Sequence, residues 1–158
     1  MAHWDQYATI ALRLGLALLA GSILGLNRWL HHKSAGIRTH SLVSIGAATA
    51  VILISDFIHD DAQSLSRVLQ GLITGLGFLG AGVIIHEQRS SKIHGLTTAA
   101  SIWTCALVGA AFGGGQFMLG LFSIGAIFLA LALGGPLEKL VARFLGIKRG
   151  SEISEEPE

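Results

Sequence analysis

The chain is predicted to be an all-α polytopic membrane protein, on three observations. Five apolar stretches recur along it, roughly 8–26, 37–55, 68–85, 95–112 and 116–133. At ~1.5 Å per residue, a helix of that length runs ~27–29 Å, close to the ~30 Å hydrocarbon core of a bilayer. The composition is 51% hydrophobic and 13% charged, whereas about 25% charged is usual for a soluble domain. Nearly all charges fall between the stretches or at their ends. Backbone amides cannot stay unpaired in lipid, so the stretches should be helices, and they are too continuous for barrel strands. The resulting organisation is a transmembrane helical domain over 1–135, an amphipathic helix over 136–150 and a disordered acidic tail over 151–158.

The first span is bracketed by Trp4 and Tyr7 on one side and Trp29 on the other. From Trp4 to Trp29 a helix rises ~37 Å, which puts a Trp at each interface. Residues 1–6 carry Asp5 and neither Lys nor Arg, a poor signal-peptide start, so this stretch reads as a retained span. Arg13 lies inside it and either snorkels outward or pairs with an acid such as Asp56.

The second span opens on Arg38, Thr39 and His40 and closes on Asp56; the third opens near Arg67, so that Asp56 and Arg67 could also pair. The third span contains Gly71, Gly75, Gly77, Gly80 and Gly82. Small residues at helical spacing let another backbone approach closely, and this helix is therefore expected at the centre of the bundle. The pairs Gly21 and Gly25, and Gly109 and Gly113, repeat the four-residue spacing. The run Gly75-Leu76-Gly77-Phe78-Leu79-Gly80 matches G-x-G-x-x-G, but it lies inside an apolar span with no preceding strand and no acid 20 residues on, so it does not read as a dinucleotide site.

The fourth span bears Thr97, Thr98, Ser101 and Thr104, and Cys105. The hydroxyls are expected to bond their own helix or a neighbour, or to line a hydrated path. With a single cysteine, no intrachain disulfide can form. Gly113-Gly114-Gly115 separates the fourth span from the fifth. After Gly134-Gly135, Pro136 suits a first helical position. Leu137, Leu140, Val141, Phe144 and Leu145 then recur at helical spacing, with Lys139, Arg143 and Lys148 on other faces, as in an interfacial helix.

Charge sets the topology. Arg28, Lys33 and Arg38 flank the first connection, Arg89 and Lys92 the third, and Lys139, Arg143, Lys148 and Arg149 follow the fifth span. By the positive-inside rule these are cytoplasmic, giving an outside N-terminus and a cytoplasmic C-terminus. Asp56, Asp60 and Asp61 lie on the outer side. His31, His32, His86, His94 and Glu87 lack the spacing of a known metal motif, so no metal site is assigned. There is no nucleophile elbow, P-loop or pair of buried acids, and catalysis, a cofactor and nucleic-acid binding are not expected. Candidate polar pathway or interaction residues are Asn27, Arg28, Arg38, Thr39, Asp56, Arg67, Thr97, Thr98 and Ser101.

Three segments resemble the signatures of the MgtC/SapB family of bacterial inner-membrane proteins. They are Gly25-Leu26-Asn27-Arg28 followed by Gly36-Ile37-Arg38-Thr39-His40; Thr74 through Ile84; and His94 through Trp103. The resemblance runs from about Leu12 to Leu133 and implies a multi-span helical fold. It also implies a link to magnesium and ion homeostasis, either by regulating a larger membrane complex or by direct transport of a cation as an oligomer. Asn27 stands where many members carry Glu, and His94 where many carry Arg. Longer members add a soluble C-terminal domain, where this chain has only the amphipathic helix and acidic tail. The expected partners are the lipid bilayer, a second or further copies of the chain, and a larger membrane protein complex.

Overall fold

The computed structural model describes residues 2–57, 62–86 and 93–145. Five α-helices account for most of them: α1 (Ala2–Leu30), α2 (Ile37–Ile52), α3 (Ala62–Val83), α4 (Leu96–Gly113) and α5 (Phe117–Phe144). A π-helical turn, Leu53–Phe57, continues α2. Between α3 and α4, β1 (Ile85–His86) pairs antiparallel with β2 (Ile93–His94), Ile85 opposite His94. By length and composition four described helical segments can cross a membrane: Trp4–Leu30, Ile37–Asp56, Leu96–Gly113 and Phe117–Phe144. The third expected span, 68–85, falls mostly on α3, which is not among these four. Its first turns carry Gln63, Ser66, Arg67 and Gln70, and its glycines add little apolar surface.

The chain divides into two compact units, Met1–Ile124 and Gly125–Glu158. In the first unit α4 is the central helix. It packs against α1, α2 and α3 and buries Thr98, Ser101, Ile102, Cys105, Ala106, Val108, Gly109, Ala110, Phe112 and Gly113. The core cluster joins Ile102, Ala106 and Ala110 to Ala35, Ala47, Val51 and Leu76.

Four glycines set the helix spacing. A methyl at Gly21 would lie 2.6 Å from the His40 carbonyl oxygen, one at Gly25 2.5 Å from the Ile37 Cα, and one at Gly113 2.5 Å from the Ala48 oxygen. At Gly109 it would run into the Ser44 carbonyl. Backbone therefore rests on backbone along α1–α2 and α2–α4.

The expectation that α3 is central is corrected. Only Leu76 and Gly80 of α3 are buried, and a methyl at Gly71, Gly75, Gly77 or Gly82 would meet nothing within 4 Å among the described residues. Gly80 alone of the five meets a neighbour, Ala99. A count of glycines does not say which face meets a partner. The α3 stripe is open, while the close approaches fall on α1 and α4.

The expected break between the fifth span and an amphipathic helix is also corrected. Residues 117–144 form one helix with Pro136 inside it, where a break after Gly135 is expected from sequence. Proline removes one N–H and crowds the carbonyl four residues back, here that of Ala132. Gly134 and Gly135 bring no side chains that would resist the local adjustment, and such prolines are tolerated in membrane helices. The helix spans ~42 Å, beyond the ~30 Å core. Its last turns expose Leu137, Leu140, Val141 and Phe144 alongside Glu138, Lys139 and Arg143. The remainder of the expected amphipathic helix and the acidic tail lie outside the described residues, as do Asp60, Asp61, Glu87, Arg89 and Lys92.

Candidate functional site

The polar side chains of the first unit gather into two clusters. Arg13 anchors one and Arg28 the other. Both project from α1, fifteen residue steps apart, which corresponds to ~22 Å of helix. α2 and α4 both begin at the Arg28 end and finish at the Arg13 end.

At the Arg13 end, Nη1 donates to Asp56 Oδ1 at 2.9 Å, to Oδ2 at 3.2 Å and to the Gly113 carbonyl at 3.3 Å. Ser55 Oγ donates to Asp56 Oδ1 at 3.0 Å. The side chains of Arg13 and Asp56 are 19% and 17% exposed, so this pair is poorly screened. The π-turn after α2 carries Asp56. Gly115, at φ +73°, turns the chain beside the guanidinium, a backbone conformation that glycine adopts readily. Of the two readings open for Arg13, pairing with Asp56 is the one observed. Asp56 pairs with Arg13 and not with Arg67, which is exposed.

The other buried polar groups are Arg28, His40, Thr98 and Ser101 at the opposite end, and Ser41 and Ser44 between the ends, Ser44 reaching Ala17, one turn from Arg13. The last turn of α1 carries Arg28, whose Nη2 donates to Thr98 Oγ1 at 3.1 Å. The connection to α2 is tight: Lys33 N donates to Arg28 O, and His32 takes a left-handed φ of 51°. His40, fully buried, places Nδ1 3.0 Å from Gly36 O and Nε2 3.1 Å from Ser101 Oγ. Ser101 Oγ donates back to Thr98 O at 2.8 Å, and Cys105 Sγ to His40 O at 3.3 Å. Ser44 Oγ donates to Ala17 O at 2.7 Å, and the Ser22 and Ser41 hydroxyls meet at 2.9 Å.

The structure thus brings Arg28, Thr98 and Ser101 together and separates the other candidates. Asp56 is at the far end. Arg38, Arg67 and Thr97 are exposed, and Asn27 and Thr39 half-buried. Arg38 and Thr39 line, with Trp29, Gly36 and Ile37, a groove of about 420 Å³ at the start of α2. His40, Ser41 and Ser44 are the buried polar residues that sequence reasoning left out of the candidates, as was Arg13, read there only as a possible partner of Asp56. The signal in α2 is periodic: His40, Ser44, Ala47 and Val51 recur at helical spacing and form the buried stripe of α2.

Among the described residues the interior between Arg13 and Arg28 is packed. Ala17, Ala20, Leu24, Ala47, Ile102, Ala106 and Val108 are buried there, the glycine contacts leave α1, α2 and α4 touching through backbone, and the hydroxyls of Ser22, Ser41 and Ser44 are bonded to one another or to Ala17 O. Among the described residues no group of three His, Cys, Asp or Glu side chains is placed to hold a metal ion.

The profile of the MgtC family matches residues 14–140. Protein SrpB of Synechococcus elongatus is 41% identical over 136 residues, covering 80% of this chain and 74% of that protein. Protein MgtC of Brucella abortus is 37% identical over 148 residues, covering 94% of this chain and 60% of that protein. A protein of Escherichia coli K12 named putative magnesium transporter YhiD is 38% identical over 133 residues, covering 80% of this chain and 60% of that one. The chain therefore spans about 60% of the length of these last two relatives. No solved structure matches it. A family match over most of the chain, with relatives at this identity and helices able to span a bilayer, places it among membrane proteins: the chain belongs to the MgtC family.

Proposed function

We propose that this protein is a regulator tied to magnesium homeostasis that acts by binding a larger membrane complex, and does not itself carry an ion through its own helix bundle. One observation carries the reading: over the ~22 Å of α1 between Arg13 and Arg28 the interior is filled by packed apolar side chains and glycine contacts, and the hydroxyls there, Ser22, Ser41 and Ser44, are taken up by one another or by the Ala17 carbonyl. The one described acid near the interior, Asp56, is engaged by Arg13, and the other cluster is built around an arginine. A cation path needs oxygen ligands or water along its length, and a buried guanidinium opposes it. The name of one relative, putative magnesium transporter YhiD, supports the link to magnesium. The protein sits in the bacterial inner membrane with its N-terminus outside and C-terminus cytoplasmic, as the basic residues at the Arg28 end support.

The test is cross-linking in membranes with photoreactive residues on α3 and α5, followed by identification of the captured proteins. A discrete membrane complex is the expected result. Capture of this chain alone contradicts the reading.

A second reading, transport along a path between copies, is favoured by the exposed face of α3. Ser66, Arg67, Gln70 and Thr74 are exposed there beside the open glycines, and polar groups facing lipid are expensive.

A further inference from the structure

We propose that the buried head of Arg28 and the first turn of α4 form a binding site for a phosphate-class oxyanion, at the end of the bundle where α2 and α4 begin. Arg28 is 4% exposed. Nη2 donates to Thr98, Nε has no acceptor, and among the described residues no carboxylate pairs with it. A guanidinium so withdrawn from water is unfavourable without a compensating negative charge.

The surroundings have the same sign. Thr98 is the third residue of α4, so the guanidinium is aimed at the helix N-terminus, the positive end of its dipole. Gly95 starts α4 with no side-chain cap, and the first turn holds no acid. The amides of Leu96, Thr97 and Thr98 precede the first possible i−4 acceptor; the Ala99 amide is the first to find one, at Gly95 O. α2 repeats the arrangement: Gly36 provides no side-chain cap and no acid follows it. His40, one turn into α2, is bonded to Ser101, one turn into α4. A cation and two uncapped helix starts therefore converge with no acid among the described residues there.

An oxyanion answers all three. Two of its oxygens suit the guanidinium fork, and a third can accept from helix N-terminal amides. Access is local. Thr97 is exposed beside Thr98, and Asn27 is half-buried beside Arg28. The groove lined by Trp29, Arg38 and Thr39 begins at the chain neighbours of Arg28 and His40, and it has room for the rest of a lipid headgroup. The phosphoryl group can thus belong to a free phosphate or to an anionic phospholipid.

The test uses the purified full chain, delipidated in an uncharged detergent. Its unfolding midpoint is followed by tryptophan fluorescence in chloride and in phosphate at equal ionic strength. A parallel arm compares nanodiscs of phosphatidylcholine with nanodiscs containing phosphatidylglycerol. The wild type is expected to gain about 5 °C when the site is filled. Arg28→Gln is expected to lose the gain. Thr98→Asp, which places a fixed carboxylate beside the guanidinium, should also lose it, with a midpoint in chloride no lower than that of the wild type. A rise with phosphate assigns a free oxyanion; a rise only with phosphatidylglycerol assigns the headgroup. The proposal is overturned by no rise in either arm, or by an equal rise in both variants, which is a general salt effect. Thr98→Asp keeps the test decisive where Arg28→Gln does not fold.

Discussion

Replacing Gly21 by alanine tests the helix packing directly. The new methyl would sit 2.6 Å from the His40 carbonyl oxygen and 2.7 Å from the Ser41 Cα, where ordinary contact begins at 3.4 Å. The nearest atoms are backbone, so α1 and α2 must part by about 0.8 Å, the difference between 3.4 and 2.6 Å. The separation stretches the Ser22–Ser41 and Ser44–Ala17 hydrogen bonds and disturbs His40. Overpacking of this kind costs about 1–3 kcal/mol, and in a chain of this size each kcal/mol moves the unfolding midpoint by about 2–4 °C. Gly21→Ala should therefore lower the midpoint by about 2–12 °C. Gly75→Ala is the internal comparison: its methyl meets open space, and alanine favours helix. Thermal unfolding of both variants in the same detergent measures the difference. Equal midpoints, or a larger loss for Gly75→Ala, would refute the close backbone packing of α1 on α2.

Other substitutions read the polar clusters. In a double-mutant cycle of Arg13→Gln and Asp56→Asn, denaturant unfolding should give a coupling energy of about 1–3 kcal/mol, because the pair is mostly withdrawn from solvent. His40→Ala should cost about 2–4 kcal/mol, since it empties a fully buried volume and leaves Gly36 O and Ser101 to find new partners. By contrast Arg38→Ala, at an exposed position, should stay within about 0.5 kcal/mol of the wild type in the same assay. Lys33→Cys, made in a Cys105→Ser background, should react with an impermeant maleimide only in inverted vesicles; labelling in intact spheroplasts would reverse the proposed orientation.

The helices α1, α2, α4 and the start of α5 are legible in the sequence, because hydrophobic runs of membrane-spanning length bounded by charge admit few other structures in lipid. What the sequence leaves open is which face of each helix meets which neighbour. The glycines of α1, α3 and α4 look alike as text. Only the register of α2 against α1 and α4 makes Gly21, Gly25, Gly109 and Gly113 contacts, while of the five in α3 Gly80 alone meets a described neighbour within 4 Å. Arg13 and Asp56 are 43 residues apart, and their pairing depends on the turn that follows α2. Gly134-Gly135-Pro136 reads as punctuation, yet a helix among lipids loses more by exposing its backbone than by accommodating one proline. His40 was recoverable, since it shares the periodicity of the buried stripe. A histidine in an apolar stripe shows its role only once Ser101, 61 residues later, is seen to meet it.

The central claim is that the bundle is closed between its two polar ends, and ion flux tests it most directly. The protein alone, shown to be folded and inserted, is placed in sealed proteoliposomes. Mg²⁺ and K⁺ entry is followed with and without an imposed potential. The account predicts flux no greater than in protein-free vesicles, unchanged by Asp56→Asn or Thr98→Val. A saturable flux that either substitution abolishes would contradict it and make the polar clusters parts of a pathway.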